Sequence, residues 1–158
     1  MNVTPEDYIK SRLEDQISWY SRKSSMNQRM YKRLQLLTII FSSSIPFLTA
    51  YTAQFKSVEI IVGFIGVSLA AITALNGLYK YQENWLAYRT TSESLKHQKY
   101  LFLTGTEPYH DEQAFNMLVQ NVEMTISKEN STWSKQMTKQ QQATSAVNVP
   151  MPGKIASQ

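Results

Sequence analysis

Residues 34–55 read LQLLTIIFSSSIPFLTAYTAQF, and residues 60–79 read IIVGFIGVSLAAITALNGLY. Neither stretch carries a formal charge. Arg33 and Lys56 bound the first; Glu59 and Lys80 bound the second. A helix needs about 20 apolar residues to cross a hydrocarbon core of roughly 30 Å, and both stretches have that length. Only Lys56, Ser57, Val58 and Glu59 lie between them. The pattern predicts an all-α membrane protein. It would be a two-helix transmembrane hairpin with spans at 34–55 and 60–79 and an external loop at 56–59. Both helices would extend into a cytoplasmic helical bundle.

Composition supports this reading. The chain has 158 residues, no cysteine, two histidines and a net charge of +4. Disulfides and thiol chemistry are excluded, and His97 and His110 are too few for a histidine-built metal site. Mean hydropathy is slightly negative, so the apolar residues are concentrated in the hairpin. Arg22, Lys23, Arg29, Lys32 and Arg33 precede the first stretch, and Lys80, Arg89, Lys96 and Lys99 follow the second. The positive-inside rule then puts both termini in the cytoplasm. These cations mark topology and contact with anionic lipid, not nucleic acid. The first thirty residues lack the continuous apolar core of a cleavable signal, so the first span itself is expected to direct insertion.

Outside the hairpin the chain reads as helices. Thr4-Pro5-Glu6-Asp7 is a helix start, with a capping hydroxyl, a proline at the first helical position and two acids at the positive dipole end. An N-terminal helix over 4–33 follows, with Ile9, Leu13, Ile17 and Tyr20 at helical spacing, Trp19 beside them, and a more polar segment at 21–27 that suits a bend. The second span is expected to continue without interruption through an extension at 80–103, about 66 Å from Ile60 to Leu103. Thr104-Gly105-Thr106-Glu107-Pro108 is a turn. A C-terminal helix over 110–138 puts Phe115, Leu118, Val119, Val122, Ile126, Glu129 and Trp133 on one face, and its expected partners are the other helices of the bundle. The tail, 139–158, reads as disordered.

The two spans differ in chemistry. Thr38, Ser42, Thr49 and Thr52 share one face of the first and are candidate pore-lining residues. Packing against a neighbouring helix while bonding back to their own backbone is the commoner use of such hydroxyls. Pro46 removes a backbone donor and frees the Ser42 carbonyl, which is expected to be satisfied by neighbouring helices or water, or with help from the Ser43 and Ser44 hydroxyls. In the second span Gly63, Gly66, Ala70, Ala74 and Gly77 form a small-residue stripe suited to close helix packing. Ser68 and Asn76 are its further pore-lining candidates. No formally charged residue lies within either span, which disfavours proton-coupled transport and voltage sensing. Glu59 and Lys56 are read as interfacial charges marking the span ends.

Trp85, Tyr88, Arg89 and Glu93 are juxtamembrane and gating candidates. Arg89 can pair with Glu93 four residues on and can stack on Trp85 and Tyr88. Tyr79, Tyr81, Trp85 and Tyr88 form either an interfacial belt or part of the bundle core. Trp19, Glu129 and Trp133 are assigned to the bundle, with Glu129 expected to pair with Arg12 or Arg89. No phosphate loop, HExxH or nucleophile elbow is present, so the chain is read as a non-enzyme with no cofactor and no metal.

Several segments carry a family resemblance: Arg12-Leu13, 16–20 (QISWY), 85–89 (WLAYR), 94–96 (SLK), 100–102 (YLF), Pro108-Tyr109, Phe115, and Glu129 with Trp133. In this order around two apolar stretches they resemble the SLATT-type two-transmembrane proteins, in their stand-alone branch. Gln98 departs from the pattern, where an acid is usual. The resemblance implies a pore-forming effector of the bacterial inner membrane, with its own cytoplasmic helices, a partner protein or a small signalling ligand as trigger. The leading expectation is therefore a homo-oligomeric ion channel in the lipid bilayer. The alternative is a membrane-anchored interaction module without conduction.

Overall fold

The computed structural model describes residues 3–53 and 55–129, and those residues are helical, with turns and no strand. The elements are α1 (Pro5–Tyr8), a π-helical turn (Ile9–Leu13), α2 (Glu14–Thr49), α3 (Lys56–Tyr79), α4 (Tyr81–Leu103) and a last helix, α5, over 114–129. The parts of the expected C-terminal helix beyond 129, and the whole expected tail, lie outside the described residues.

The start is capped as the sequence predicts. Thr4 Oγ1 accepts the Asp7 amide at 3.2 Å, Pro5 occupies the first turn, and Glu6 and Asp7 follow. The π turn carries one extra residue per hydrogen-bonded ring. Backbone angles on either side stay right-handed helical, so the chain runs without a break from Pro5 to Thr49. The polar segment 21–27 does not bend. It is uninterrupted α-helix, and Ser24 and Asn27 within it are buried.

The connection between the apolar stretches differs from expectation. Residues 56–59 are not a loop; they are the first turn of α3, with Glu59 favourably placed near its positive end. The reversal lies earlier, after α2 ends at Thr49. The Tyr51 amide bonds Leu48 O at 3.0 Å and the Thr52 amide bonds Thr49 O at 3.3 Å. Phe55 is extended, which starts α3 afresh. Helix α2 therefore covers only 34–49 of the first stretch, about 24 Å at 1.5 Å per residue.

The expected uninterrupted helix from 60 to 103 is interrupted at Lys80, which adopts the left-handed conformation (φ 47°, ψ 43°). Its amide bonds Asn76 O at 3.1 Å, and its carbonyl accepts the Asn84 amide at 3.0 Å. The Asn84 side chain donates to the Tyr79 carbonyl at 3.0 Å, and Lys80 pairs with Glu83 at 3.2 Å. The interruption is a hydrogen-bonded joint, and local sequence gives little warning of it, because lysine has no preference for this backbone region.

The chain divides into two compact units after Tyr100. In the first, α2 packs against α3, and α4 runs antiparallel to α2. The register is set by three cross-links: Glu14 with Lys99, Ile17 O with Ser92 Oγ, and Ser24 Oγ with Trp85 O. Ile9, Leu13, Tyr20 and Leu95 are buried together with the small polar side chains Ser24, Thr91 and Ser92. In the second unit α4 ends in a Schellman motif. Thr106 N bonds Leu101 O at 3.1 Å and Gly105 N bonds Phe102 O at 3.2 Å. Gly105 takes the positive φ of 60° that this motif requires. Tyr109 is buried against Phe102, and its hydroxyl accepts Asn121 Nδ2 at 2.8 Å. On α5, Leu118, Val122 and Ile126 of the predicted face are buried.

Candidate functional site

The hydroxyls of the apolar stretches all turn onto their own helices. Thr38 Oγ1 donates to Leu34 O (3.0 Å), Ser42 Oγ to Thr38 O (2.7 Å), Thr49 Oγ1 to Ile45 O (2.8 Å) and Thr52 Oγ1 to Thr49 O (2.8 Å). In α3, Ser68 Oγ donates to Phe64 O at 2.9 Å and Thr73 Oγ1 to Leu69 O at 2.9 Å. Ser43 and Ser44 donate to Ile40 O, at 3.0 and 2.7 Å. Neither serves the Ser42 carbonyl that Pro46 frees, so of the expected partners the two hydroxyls are not the ones used.

The expected stripe divides by exposure. Thr38 and Thr52 are half-buried, in step with Leu34, Phe41, Ile45 and Leu48, whereas Ser42 and Thr49 are exposed. In α3 the half-buried positions are Val58, Val62, Ile65, Leu69, Ile72 and Asn76, with Ser68 beside them. This is a heptad-like face, the period that suits helices crossing at a small angle. The small-residue stripe lies elsewhere. Gly63, Gly66, Ala70, Ala74 and Gly77 are all exposed, and a Cβ added at Gly63, Gly66 or Gly77 would meet nothing within 4 Å. Among the described residues the stripe is thus not used for packing.

Asn76 stands apart. Among the described residues its Oδ1 is the one buried side-chain oxygen without a hydrogen-bond partner. It sits one turn before the Lys80 joint, on the half-buried face of α3. A buried, unpaired amide oxygen costs roughly 1–3 kcal/mol.

Beyond the joint the aromatic residues separate into two groups. Tyr79 is exposed and stacks on Tyr81, with ring centroids 5.4 Å apart. Tyr88 joins Trp19 (5.9 Å) and Tyr20 (6.1 Å) where α2 meets α4. Trp85 is half-buried and lends its carbonyl to Ser24. Arg89 pairs with Glu93 at 3.3 Å, and Glu93 also takes Lys96 at 3.2 Å. The Arg89 guanidinium thus goes to a carboxylate; the cations over rings among the described residues are Lys23, 5.6 Å from the Trp19 centroid, and Lys99, 5.9 Å from the Tyr100 centroid. Glu129 is half-buried at the end of α5, and Trp133 lies outside the described residues.

Sequence reasoning missed two features. The first is the hydroxyl seam of Ser24 and Ser92, whose side chains donate to Trp85 O and Ile17 O between α2 and α4. The second is the bridge from Lys99 Nζ to Glu14 Oε1 at 2.6 Å, which joins residues 85 apart and leaves no local signal. The Lys99 hydrogen bond, then its charge, lowers the Glu14 pKa below the ordinary glutamate value. Among the described residues no group of three or more His, Asp or Glu side chains is placed to hold a metal.

Among the described residues, one helical run is long and apolar enough, by length and composition, to cross a membrane: Lys56–Leu103, which is α3 and α4 together. None of its most apolar window is buried within the chain. No curated protein and no solved structure matches the chain. A family model does match, over residues 15–116, which takes in α2, α3, α4 and the first residues of α5, and on that ground the chain belongs to the family described as "Protein of unknown function (DUF4231)".

Proposed function

We propose that this protein is the subunit of a homo-oligomeric ion channel of the bacterial inner membrane, with both apolar stretches crossing the bilayer and both termini cytoplasmic. One observation carries the reading: the apolar helices leave their large side chains outside. Ile60, Phe64, Val67 and Phe47 are each at least 66% exposed. A contiguous apolar surface of this kind suits lipid and is costly in water. The basic residues flanking the hairpin give the orientation. Helix α2 is about 24 Å long from Leu34 to Thr49, and the span is completed by the apolar turn beyond it, with Lys32 and Arg33 snorkelling to the interface.

Conduction follows from which faces remain open. Two spans cannot enclose a pore, so a pore requires several copies. Among the described residues the small-residue stripe of α3 is left unused, and it offers a close-packing face for a second copy. Ser42 and Thr49 are then the hydroxyls available to a central axis. Membership of the matched family is compatible with the SLATT resemblance, which supports the same reading. Helices α4 and α5 form the part on which a signalling ligand or partner protein would act.

The test is reconstitution of the purified chain in planar bilayers. Ion current is expected, and Ser42→Trp should reduce it while leaving the oligomer intact. A folded oligomer that passes no current refutes the channel. Exchanging both apolar stretches for unrelated apolar helices separates this reading from a membrane-anchored interaction module: a channel loses function, an anchor keeps it.

A further inference from the structure

We propose that the face of α2 just before its apolar half is a binding site for the phosphate of an anionic phospholipid. This rests on the membrane reading above and adds a specific ligand to it. A groove of about 510 Å³ runs along one face of α2, lined by Arg22, Ser25, Met26, Arg29, Met30 and Arg33, with Ser21 at its edge. At 100° per residue the three arginines fall within about 40° of one another around the helix. Tyr20, Ser24 and Asn27, which are buried, lie roughly 140–200° away on the same scale. The arginine line therefore points directly away from the packed face.

The chemistry of the groove selects its occupant. No ion pair among the described residues uses Arg22, Arg29 or Arg33, whereas Lys80, Arg89, Lys96 and Lys99 each have a carboxylate partner. Guanidinium forks match phosphate oxygens in pairs, and serine hydroxyls add single donors. Met26 and Met30 between the arginines supply flexible apolar contact for a glycerol backbone or the first acyl carbons. A second copy of this face is a poor occupant, because like charges would meet. Depth grades the contributions. Arg33 borders the apolar stretch, Arg29 lies about 6 Å below it and Arg22 about 16 Å below. The headgroup layer is only roughly 5–8 Å thick on each side. Arg29 and Arg33 hold the phosphate, and Arg22 stands at the solvent end.

Lys32 is the internal control. It has the same charge and depth as Arg33 but lies about 100° around the helix, outside the groove. The experiment is native mass spectrometry of the full chain extracted in detergent, titrated with phosphatidylglycerol or phosphatidylcholine. The chain should retain phosphatidylglycerol selectively. Arg29→Gln and Arg33→Gln should each weaken retention roughly fivefold, the effect of one basic residue at an anionic surface. Arg22→Gln should weaken it less, Arg29→Lys should keep part of it, and Lys32→Gln should leave it unchanged. Equal losses for Lys32→Gln and Arg33→Gln would reduce the effect to surface charge and overturn the site. Displacement of the lipid by inorganic pyrophosphate, with pyrophosphate held as tightly in lipid-free protein, would assign the groove to a soluble anion instead. A chain that needs no detergent to stay in solution would refute the membrane reading itself, whereas a membrane-integral chain that retains both lipids equally refutes only this proposal.

Discussion

Lys80 is the position where a single substitution should stabilise the protein. An L-residue in the left-handed region carries about 1–2 kcal/mol of steric cost, which glycine does not. Against that relief stand glycine's own backbone entropy, about 0.5–1 kcal/mol, and loss of the exposed Lys80–Glu83 pair, about 0–1 kcal/mol. At the midpoints of these ranges Lys80→Gly should therefore gain about 0.3 kcal/mol. Lys80→Val loses the same ion pair and adds a β-branched side chain at positive φ, so it should lose about 1–2 kcal/mol. In a chain of this size 1 kcal/mol moves a thermal midpoint by about 2–4 °C. The assay is helical circular dichroism against temperature, in detergent, on the full chain. The glycine variant should melt slightly above wild type and the valine variant several degrees below it. Valine at or above wild type, with glycine below, would mean that α3 and α4 form one straight helix and that the joint is not part of the fold.

Three further outcomes follow from the first unit. Ser92 is buried with its hydroxyl donating to Ile17 O at 3.3 Å; Ser92→Leu should overpack the seam and cost about 1–3 kcal/mol, while Ser92→Ala should cost about 0.5–1.5 kcal/mol, both read as midpoint shifts. Leu13 is fully buried, so Leu13→Ala should cost about 2–5 kcal/mol, whereas alanine at exposed Leu36 should leave the detergent midpoint near wild type. Glu14 has a folded pKa lowered by Lys99. Its stabilising effect is present above the unfolded glutamate pKa and is lost as pH falls through the folded value, so the midpoint difference between wild type and Glu14→Gln should vanish on acidification and be unchanged at neutral pH.

Features that depend on nearby residues were legible in the sequence. The Thr4-Pro5 start, the Gly105 stop and the Leu118, Val122 and Ile126 face each follow from local geometry and a 3.6-residue period. The loop was misplaced because Lys56 and Glu59 read as charges outside an apolar run, while a helix N-terminus accommodates Glu59 well. The Lys80 joint depends on a side chain four residues on, Asn84, capping Tyr79. The Ser24 and Ser92 burial depends on a helix 61–75 residues distant. The small-residue stripe was visible as a stripe, but only the structure places the heptad-like face of α3 on other residues and leaves the glycines outside.

The hydroxyls of the first apolar stretch carry one last consequence. With their protons already engaged by carbonyls of the preceding turn, at 2.7 Å for Ser42 and 2.8 Å for Thr49, these side chains present oxygen lone pairs and no free hydrogen. An axis lined by them replaces water around a cation but gives an anion nothing to accept from. In an assembled pore this stretch would discriminate by the sign of the ion without containing a single carboxylate, and a reversal potential measured across a salt gradient would read that sign directly.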